Sequence, residues 1–318
     1  MNERTVAVNG IDLHLLEDGK PGDPLVLLCH GFPELAWSWR HQLPALAAAG
    51  YHVVAPDQRG YGGSSCPEAI EDYDIVHLTD DLLALLDHLG EEQAVVVGHD
   101  WGAMVLTHLV LRAPERVRGA MWMSVPFVPR PPAPPTAIFK QLFTDTWFYM
   151  LYFQEPGVAD ADLGADPRKT MRRFLHTASA EAPVEELTGL VSARDGRGFV
   201  DRLVDPEKPS AWLTDEELDV YVANFEKTGF TGGINWYRNL DRNWALTAEH
   251  DGARVTMPAA FLGGKADPVL LMSPPQGMEA WCDEFRGITL VEGAGHWVQQ
   301  EKPSEVNEAL LQFLSELG

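Results

Sequence analysis

The stretch AVVVGHDWGAMVLTHLV, residues 94–110, decides the fold. Its first four residues are small or β-branched and apolar, as in a buried strand, and its last eight have the length and composition of a helix. Between them lies Gly98-His99-Asp100-Trp101-Gly102, the strand–turn–helix setting of the G-x-S-x-G motif, with Asp100 in the serine position. Glycine suits both flanking positions because so sharp a turn leaves little room for side chains. A carboxylate is ionised at neutral pH and can displace a leaving group from saturated carbon. The motif therefore predicts attack by Asp100 on an alkyl carbon, with an ester intermediate.

Outward from this turn, short apolar strands alternate with helical patterns, which is typical of an α/β fold with a mostly parallel twisted sheet flanked by helices. A proline-rich tract interrupts this pattern at 126–135, and the strand signal returns only after about 248. We therefore expect an α/β core in 1–127 and 249–318, with an inserted all-helical lid in 128–248 above the active site. The predicted strands are 6–8 and 13–16 (a hairpin around Asn9-Gly10), 25–29, 52–55, 94–97, 120–125, 258–262 and 288–291. The predicted helices are 39–49, 75–89, 103–113 and 304–317.

The bulk properties exclude several classes of function. The formal net charge of −23 argues against nucleic acid or an anionic membrane as a partner. No apolar stretch is long enough for a membrane span, and no apolar signal peptide opens the chain. Three scattered cysteines suggest neither a disulfide framework nor a thiolate zinc site, so we expect a cytoplasmic protein.

The segment 57–64 only approximates a dinucleotide-binding loop, and no ligand spacing indicates a metal, so we expect no cofactor. The oligomeric state is left open, with a homodimer among the alternatives.

Two later loops supply partners for Asp100. In this type of fold the chain order is nucleophile, acid, histidine. His296 lies in a glycine-bracketed loop after the last predicted strand, and Asp267 follows the strand before it. We expect Asp267 to orient His296, which would activate water against the ester. The backbone N–H groups of Phe32 and Trp101 are the predicted oxyanion donors.

These motifs resemble the α/β-hydrolase superfamily along essentially the whole chain. Two of its families use an aspartate followed by tryptophan at this turn: the epoxide hydrolases and the haloalkane dehalogenases. Residues 151–157, LYFQEPG, and 235–239, NWYRN, look like the two lid-tyrosine motifs of soluble epoxide hydrolases. The resemblance implies that Tyr152 and Tyr237 hydrogen-bond the epoxide oxygen. It also implies a cis bond between Phe32 and Pro33.

The chain is accordingly expected to be an epoxide hydrolase that adds water to a small hydrophobic epoxide to give a vicinal diol. Haloalkane dehalogenase is the alternative, although many of those enzymes have a halide-binding asparagine where this chain has Phe32. A non-catalytic ligand binder of the same fold is a second alternative, and a serine esterase is disfavoured because the chain contains no G-x-S-x-G. The aromatic content suggests an aryl or lipid-like substrate. The predicted substrate-binding residues are Trp37, Phe127, Phe153 and Trp236, with Phe32, Trp101, Trp147 and Phe148 as further apolar walls.

Overall fold

The computed structural model describes residues 1–182 and 189–318. In these residues eight strands form one sheet, in the order β1-β2-β4-β3-β5-β6-β9-β10, and β7 pairs with β8 in a separate two-stranded ladder. Neighbouring strands from β4 to β10 are parallel, whereas β1 and β2 are antiparallel additions at one edge. The strands are β1 (Asn2–Val8), β2 (Ile11–Asp18), β3 (Leu25–Cys29), β4 (His52–Pro56), β5 (Ala94–His99), β6 (Val117–Met123), β7 (Thr146–Phe148), β8 (Val191–Ala193), β9 (Val255–Gly264) and β10 (Cys282–Val291).

Helices cover both faces of the sheet, because successive side chains of a strand point to opposite sides. In β5, Val96 packs into a core with α2 and α3, whereas Val95 and Val97 pack into a second core with α1 and α13. The α-helices are α1 (Gln42–Ala48), α2 (Ile75–Leu89), α3 (Trp101–Arg112), α4 (Pro135–Leu142), α5 (Tyr149–Tyr152), α6 (Val158–Gly164), α7 (Pro167–Thr177), α8 (Asp215–Thr228), α9 (Thr231–Arg238), α10 (Leu240–Leu246), α11 (Val269–Met272), α12 (Val298–Glu301) and α13 (Pro303–Ser315).

The predicted α/β fold class is confirmed, and each strand predicted from the sequence is present, although β10 begins six residues before its predicted start at 288. The hairpin turn has positive φ at both Asn9 (46°) and Gly10 (76°), as a two-residue β-hairpin turn requires. The expectation that the insertion is all-helical is wrong, since β7 and β8 form an antiparallel ladder within it. Each of these strands has three residues, too few for a two-residue periodicity to be recognised.

The segment between β6 and β9 packs against loops at the carboxyl edge of the sheet. The Trp236 indole N–H donates to the Arg59 carbonyl after β4, and the His296 N–H after β10 donates to the Ala178 carbonyl after α7. The segment thus covers the edge at which parallel strands present their loops. Its exact limits, 128–248, stay a prediction. In the part of the chain that the structure describes, no helix combines the length and apolarity needed to cross a membrane.

Candidate active site

The turn between β5 and α3 holds Asp100 in a conformation that side-chain-bearing residues rarely adopt, with φ 52° and ψ −117°. Two glycines make this turn sterically feasible. A Cβ on Gly98 would collide with the Gly102 carbonyl, and one on Gly102 would collide with the Cys29 carbonyl of β3. Backbone strain of this kind is concentrated at functional sites, where surrounding contacts hold it in place. The turn places the Asp100 carboxylate at the carboxyl edge, directly after the central strand β5.

The two oxygens of Asp100 have different neighbours. Oδ1 accepts a hydrogen bond of 2.8 Å from the Phe32 N–H, in the loop after β3, and a Cβ on Gly31 would collide with this oxygen. Oδ2 lies 3.5 Å from Nε2 of His296. Trp101 is the first residue of α3, where backbone N–H groups have no partner within the helix. The N–H of Phe32, one of the two predicted oxyanion donors, therefore contacts the Asp100 carboxylate, and the role of the Trp101 N–H stays a prediction. The bond between Phe32 and Pro33 is cis, as the resemblance implied.

His296 connects the carboxylate of Asp100 to that of Asp267. Nδ1 of His296 lies 3.0 Å from Oδ2 and 3.1 Å from Oδ1 of Asp267, which is 2% exposed. Burial alone would lower the pKa of His296, but the charges of Asp267 and Asp100 and their hydrogen bonds raise it well above its usual value. The structure thus brings together the three residues that the sequence predicted as nucleophile, base and orienting acid.

A second, fully buried pair of an imidazole and a carboxylate lies beside the His296 loop. His99, within the motif that decides the fold, has its Nδ1 2.6 Å from Oε2 of Glu34. Its Nε2 lies 2.8 Å from the carbonyl oxygen of His296, which also accepts a hydrogen bond from the Ser124 hydroxyl. Burial opposes the charge on Glu34, yet His99 holds the pKa of this carboxyl down to about 2. The sequence analysis missed this pair, because Glu34 and His99 are 65 positions apart in the chain and no local pattern connects them.

Of the two predicted tyrosines, Tyr237 lies near Asp100, whereas Tyr152 does not and Tyr149 lies there in its place. Tyr237 of α9 is buried, with its ring centroid 4.9 Å from that of Trp101. Tyr152 does not reach this site: its hydroxyl donates to Asp162 over 3.1 Å, and burial together with that carboxylate raises the pKa of Tyr152 to about 12. Tyr149, three residues earlier on α5, hydrogen-bonds Tyr237 instead, with ring centroids 5.9 Å apart. The prediction of Tyr152 is therefore wrong in position by one helical turn.

A cavity of about 600 Å³ opens above Asp100 and is lined mainly by apolar side chains. Asp100, Tyr149 and Tyr237 all contribute to its wall. Burial raises the pKa of both phenols, and the Asp100 charge raises them further, so both hydroxyls stay protonated at neutral pH.

The four predicted substrate-binding residues do not line this cavity. Phe127 and Phe153 are fully packed core residues, against Trp122 and against Phe32 and Tyr237 respectively. The indole of Trp236 is directed to the Arg59 carbonyl, and the guanidinium of Arg40 lies over the ring of Trp37. Aromatic composition alone could not separate cavity walls from core. Of the four further walls, Trp101 and Phe148 line the cavity, whereas Phe32 and Trp147 do not. Within residues 1–182 and 189–318, no three metal-binding side chains cluster as a metal site would require.

This site and fold define a class, the proteins of the alpha/beta hydrolase fold, whose family model matches residues 24–303. The chain is 52% identical to epoxide hydrolase A of Mycobacterium tuberculosis over 99% of its own length and 98% of that protein's. A crystal structure of epoxide hydrolase A from Mycobacterium thermoresistibile superposes with a TM-score of 0.95 at 55% identity, covering 99% of this chain and 98% of that one. A structure of an epoxide hydrolase from an endophytic Streptomyces gives the same TM-score at 41% identity, covering 99% of this chain and 96% of that one. The chain belongs to the epoxide hydrolases, as the sequence predicted.

Proposed function

We propose that the chain converts a hydrophobic epoxide and water to a vicinal diol through an alkyl ester on Asp100. The proposal is supported by the placement of a carboxylate and two phenols in the wall of one mainly apolar cavity, with a histidine beside that carboxylate. A cavity of this size accommodates a ligand the size of a drug molecule. Its apolar wall favours an aryl or alkyl epoxide over a polar one.

In the first step, Oδ2 of Asp100 attacks one epoxide carbon, because Oδ1 is already engaged by the Phe32 N–H. The carbon–oxygen bond that breaks leaves an alkoxide, which takes a proton from a phenol. Tyr149 and Tyr237 supply that proton and stabilise the developing negative charge. The hydrogen bond from the Trp101 indole to Tyr237 orients the second phenol.

In the second step, His296 removes a proton from water, and the resulting hydroxide attacks the carbonyl carbon of the Asp100 ester. The negative charge that develops on Oδ1 is met by the Phe32 and Trp101 N–H groups. Asp267 stabilises the imidazolium that forms. Breakage of the ester bond releases the diol and regenerates the Asp100 carboxylate, which now contains an oxygen atom from water.

The observation that carries the proposal is the different surroundings of the two Asp100 oxygens: one is held by a backbone donor, the other faces His296. The test is a single turnover of styrene oxide by excess enzyme in ¹⁸O-water. We expect label in the peptide containing Asp100 and none in the first diol. Label in the diol alone would mean direct attack by water and would overturn the ester mechanism.

The dehalogenase alternative lacks support from the site, because phenol donors serve an alkoxide that needs a proton, and a departing halide needs none. Halide release from 1-chloroalkanes at a rate comparable to diol formation would reverse this preference. The net charge of −23 supports our further expectation that neither nucleic acid nor an anionic membrane is a partner. Cytoplasmic location and the oligomeric state stay predictions.

A further inference from the structure

Glu301 is the last residue of α12, which closely follows His296 in the chain, and its carboxylate contacts the loop that holds this histidine. Oε2 of Glu301 accepts a hydrogen bond of 3.0 Å from the Gly295 N–H. Oε1 accepts a hydrogen bond of 3.1 Å from the Trp297 N–H. The carboxylate therefore binds the N–H groups of the two residues that flank the proposed base.

Gly295 is the position at which this loop needs a restraint from outside. A Cβ on Gly295 would collide with the backbone of residues 178–180, which follow α7, so only glycine fits here. Glycine leaves the backbone free to adopt many conformations, and a rotation at Gly295 would displace the imidazole of His296. The hydrogen bond from the Gly295 N–H to Glu301 opposes this rotation.

The same carboxylate also contacts the end of α7. Oε2 of Glu301 accepts a second hydrogen bond, of 2.9 Å, from the Ala180 N–H. A further bond connects the two segments nearby, since the Trp297 indole N–H donates to the Leu175 carbonyl of α7 over 2.7 Å. One oxygen atom of Glu301 thus joins the loop of His296 to the chain that follows α7.

Three N–H donors that converge on one side chain require a group that only accepts hydrogen bonds. An ionised carboxylate has two such oxygens, whereas an amide has one oxygen and a nitrogen that donates. Burial raises the pKa of Glu301 to about 7, and the charge of Asp267 acts in the same direction, while the three N–H bonds lower it. The carboxylate is therefore costly to bury at this place, and its bonds to the two segments offset that cost.

We propose that Glu301 is a positioning residue for ester hydrolysis, which fixes the loop of His296 against the end of α7 so that Nε2 faces the ester on Asp100. The proposal rests on the proposed function, because it concerns the second step of that reaction. A catalytic group displaced by about 1 Å can cost on the order of 10²-fold in rate. Attack by Asp100 on the epoxide needs no base, so a displaced imidazole slows only the hydrolysis of the ester.

The test is a single turnover of styrene oxide by excess Glu301→Gln enzyme, with the ester followed by intact-protein mass spectrometry. In either orientation of the new amide, at least one N–H beside His296 loses its acceptor. We expect ester formation to stay within about twofold of the unaltered protein and ester hydrolysis to be slower by about tenfold or more. Equal rates of both steps in the two proteins would overturn the proposal. Absence of an ester in both proteins would overturn the proposed function itself.

The pH dependence of ester hydrolysis separates a change in position from a change in charge. If the imidazole is displaced in Glu301→Gln, the limiting rate of hydrolysis at high pH should fall. If Glu301 acted on His296 only through its charge, the limiting rate would be kept and the pKa in the profile would move. The second result would overturn the positioning role.

Asp162→Asn is the matched control, because Oδ2 of Asp162 also accepts two backbone N–H groups, those of Phe199 and Val200, away from the loop of His296. This variant should change the two steps alike, and a selective loss of hydrolysis in it would overturn the proposal. If Glu301→Gln fails to fold, Glu301→Asp carries the test, since its carboxylate is one methylene too short for all three donors. An unchanged ratio of the two rates in Glu301→Asp would then overturn the proposal.

Discussion

Tyr149 hydrogen-bonds Tyr237 across the cavity above Asp100, although the two residues belong to different helices, α5 and α9. The Trp101 indole hydrogen-bonds the Tyr237 phenol. Trp101 directly follows the proposed nucleophile in the chain. A carboxylate below and two protonated phenols above form the arrangement needed to open an epoxide. In the proposed reaction the carboxylate attacks an epoxide carbon, while the two phenols stabilise the negative charge that develops on the epoxide oxygen.

The position of the phenols leads to a first prediction that separates Tyr149 from Tyr152. Tyr149→Phe and Tyr237→Phe should each slow ring opening, and together they should slow it roughly 10²-fold or more, since the alkoxide then leaves without an acid. The rate of ester formation in a single turnover measures this step. Tyr152→Phe is the matched control: it removes a hydroxyl that donates to Asp162, and it should leave the rate nearly unchanged. A large effect in Tyr152→Phe and none in Tyr149→Phe would return the role to Tyr152.

His296→Gln provides a second prediction, on the two-step course of the reaction. Alkylation of Asp100 needs no base, so it should proceed in this variant, whereas hydrolysis of the ester should stop. Intact-protein mass spectrometry after addition of an epoxide should show one added substrate mass. The double variant His296→Gln with Asp100→Asn should show no such adduct. An adduct that forms equally in the double variant would place the ester on another residue.

The electrostatics of the triad lead to a third prediction. Asp100 and Asp267 raise the pKa of His296 despite its burial, so Asp100→Asn should lower this pKa by removing one of the two charges. Ester formation also neutralises Asp100, which lowers the pKa of His296 and so favours its neutral, basic form at the step that needs a base. The rate of ester hydrolysis should therefore rise with pH through the lowered pKa. Histidine titration by NMR in both proteins measures the shift, and an unchanged pKa would show that Asp100 does not act on His296.

The amino-acid sequence was sufficient to predict the fold, the turn at Asp100 and the proximity of Asp267 and His296 to it, because each depends on local signals: apolar strands, glycines where a Cβ would collide, and polar residues directly after strands. It did not locate Tyr149 correctly. Positions 149 and 152 are one turn apart on α5 and share a face approximately, so the choice between them depends on how that short helix packs against α9. The predicted walls failed for a similar reason. All three side chains of Phe148, Phe153 and Trp236 are aromatic and buried, but only Phe148 lines the cavity. Which aromatic side chain faces the cavity depends on segments far away in the sequence.

The last prediction concerns the stability of the turn itself. A Cβ on Gly102 would collide with the Cys29 carbonyl, which belongs to β3, one of the two middle strands, and cannot move without disturbing the sheet. Gly102→Ala should therefore lower the free energy of unfolding by about 1–3 kcal/mol, the usual cost of overpacking, even though alanine favours helix. Gly164→Ala is the matched control, since Gly164 ends a helix and a Cβ there meets nothing within 4 Å. That variant should be neutral or stabilised by up to about 1 kcal/mol. Urea denaturation of both variants at constant m-value measures the difference. Equal stability of the two variants would mean that the turn has more room than its geometry implies, and the requirement for glycine beside Asp100 would then need another cause.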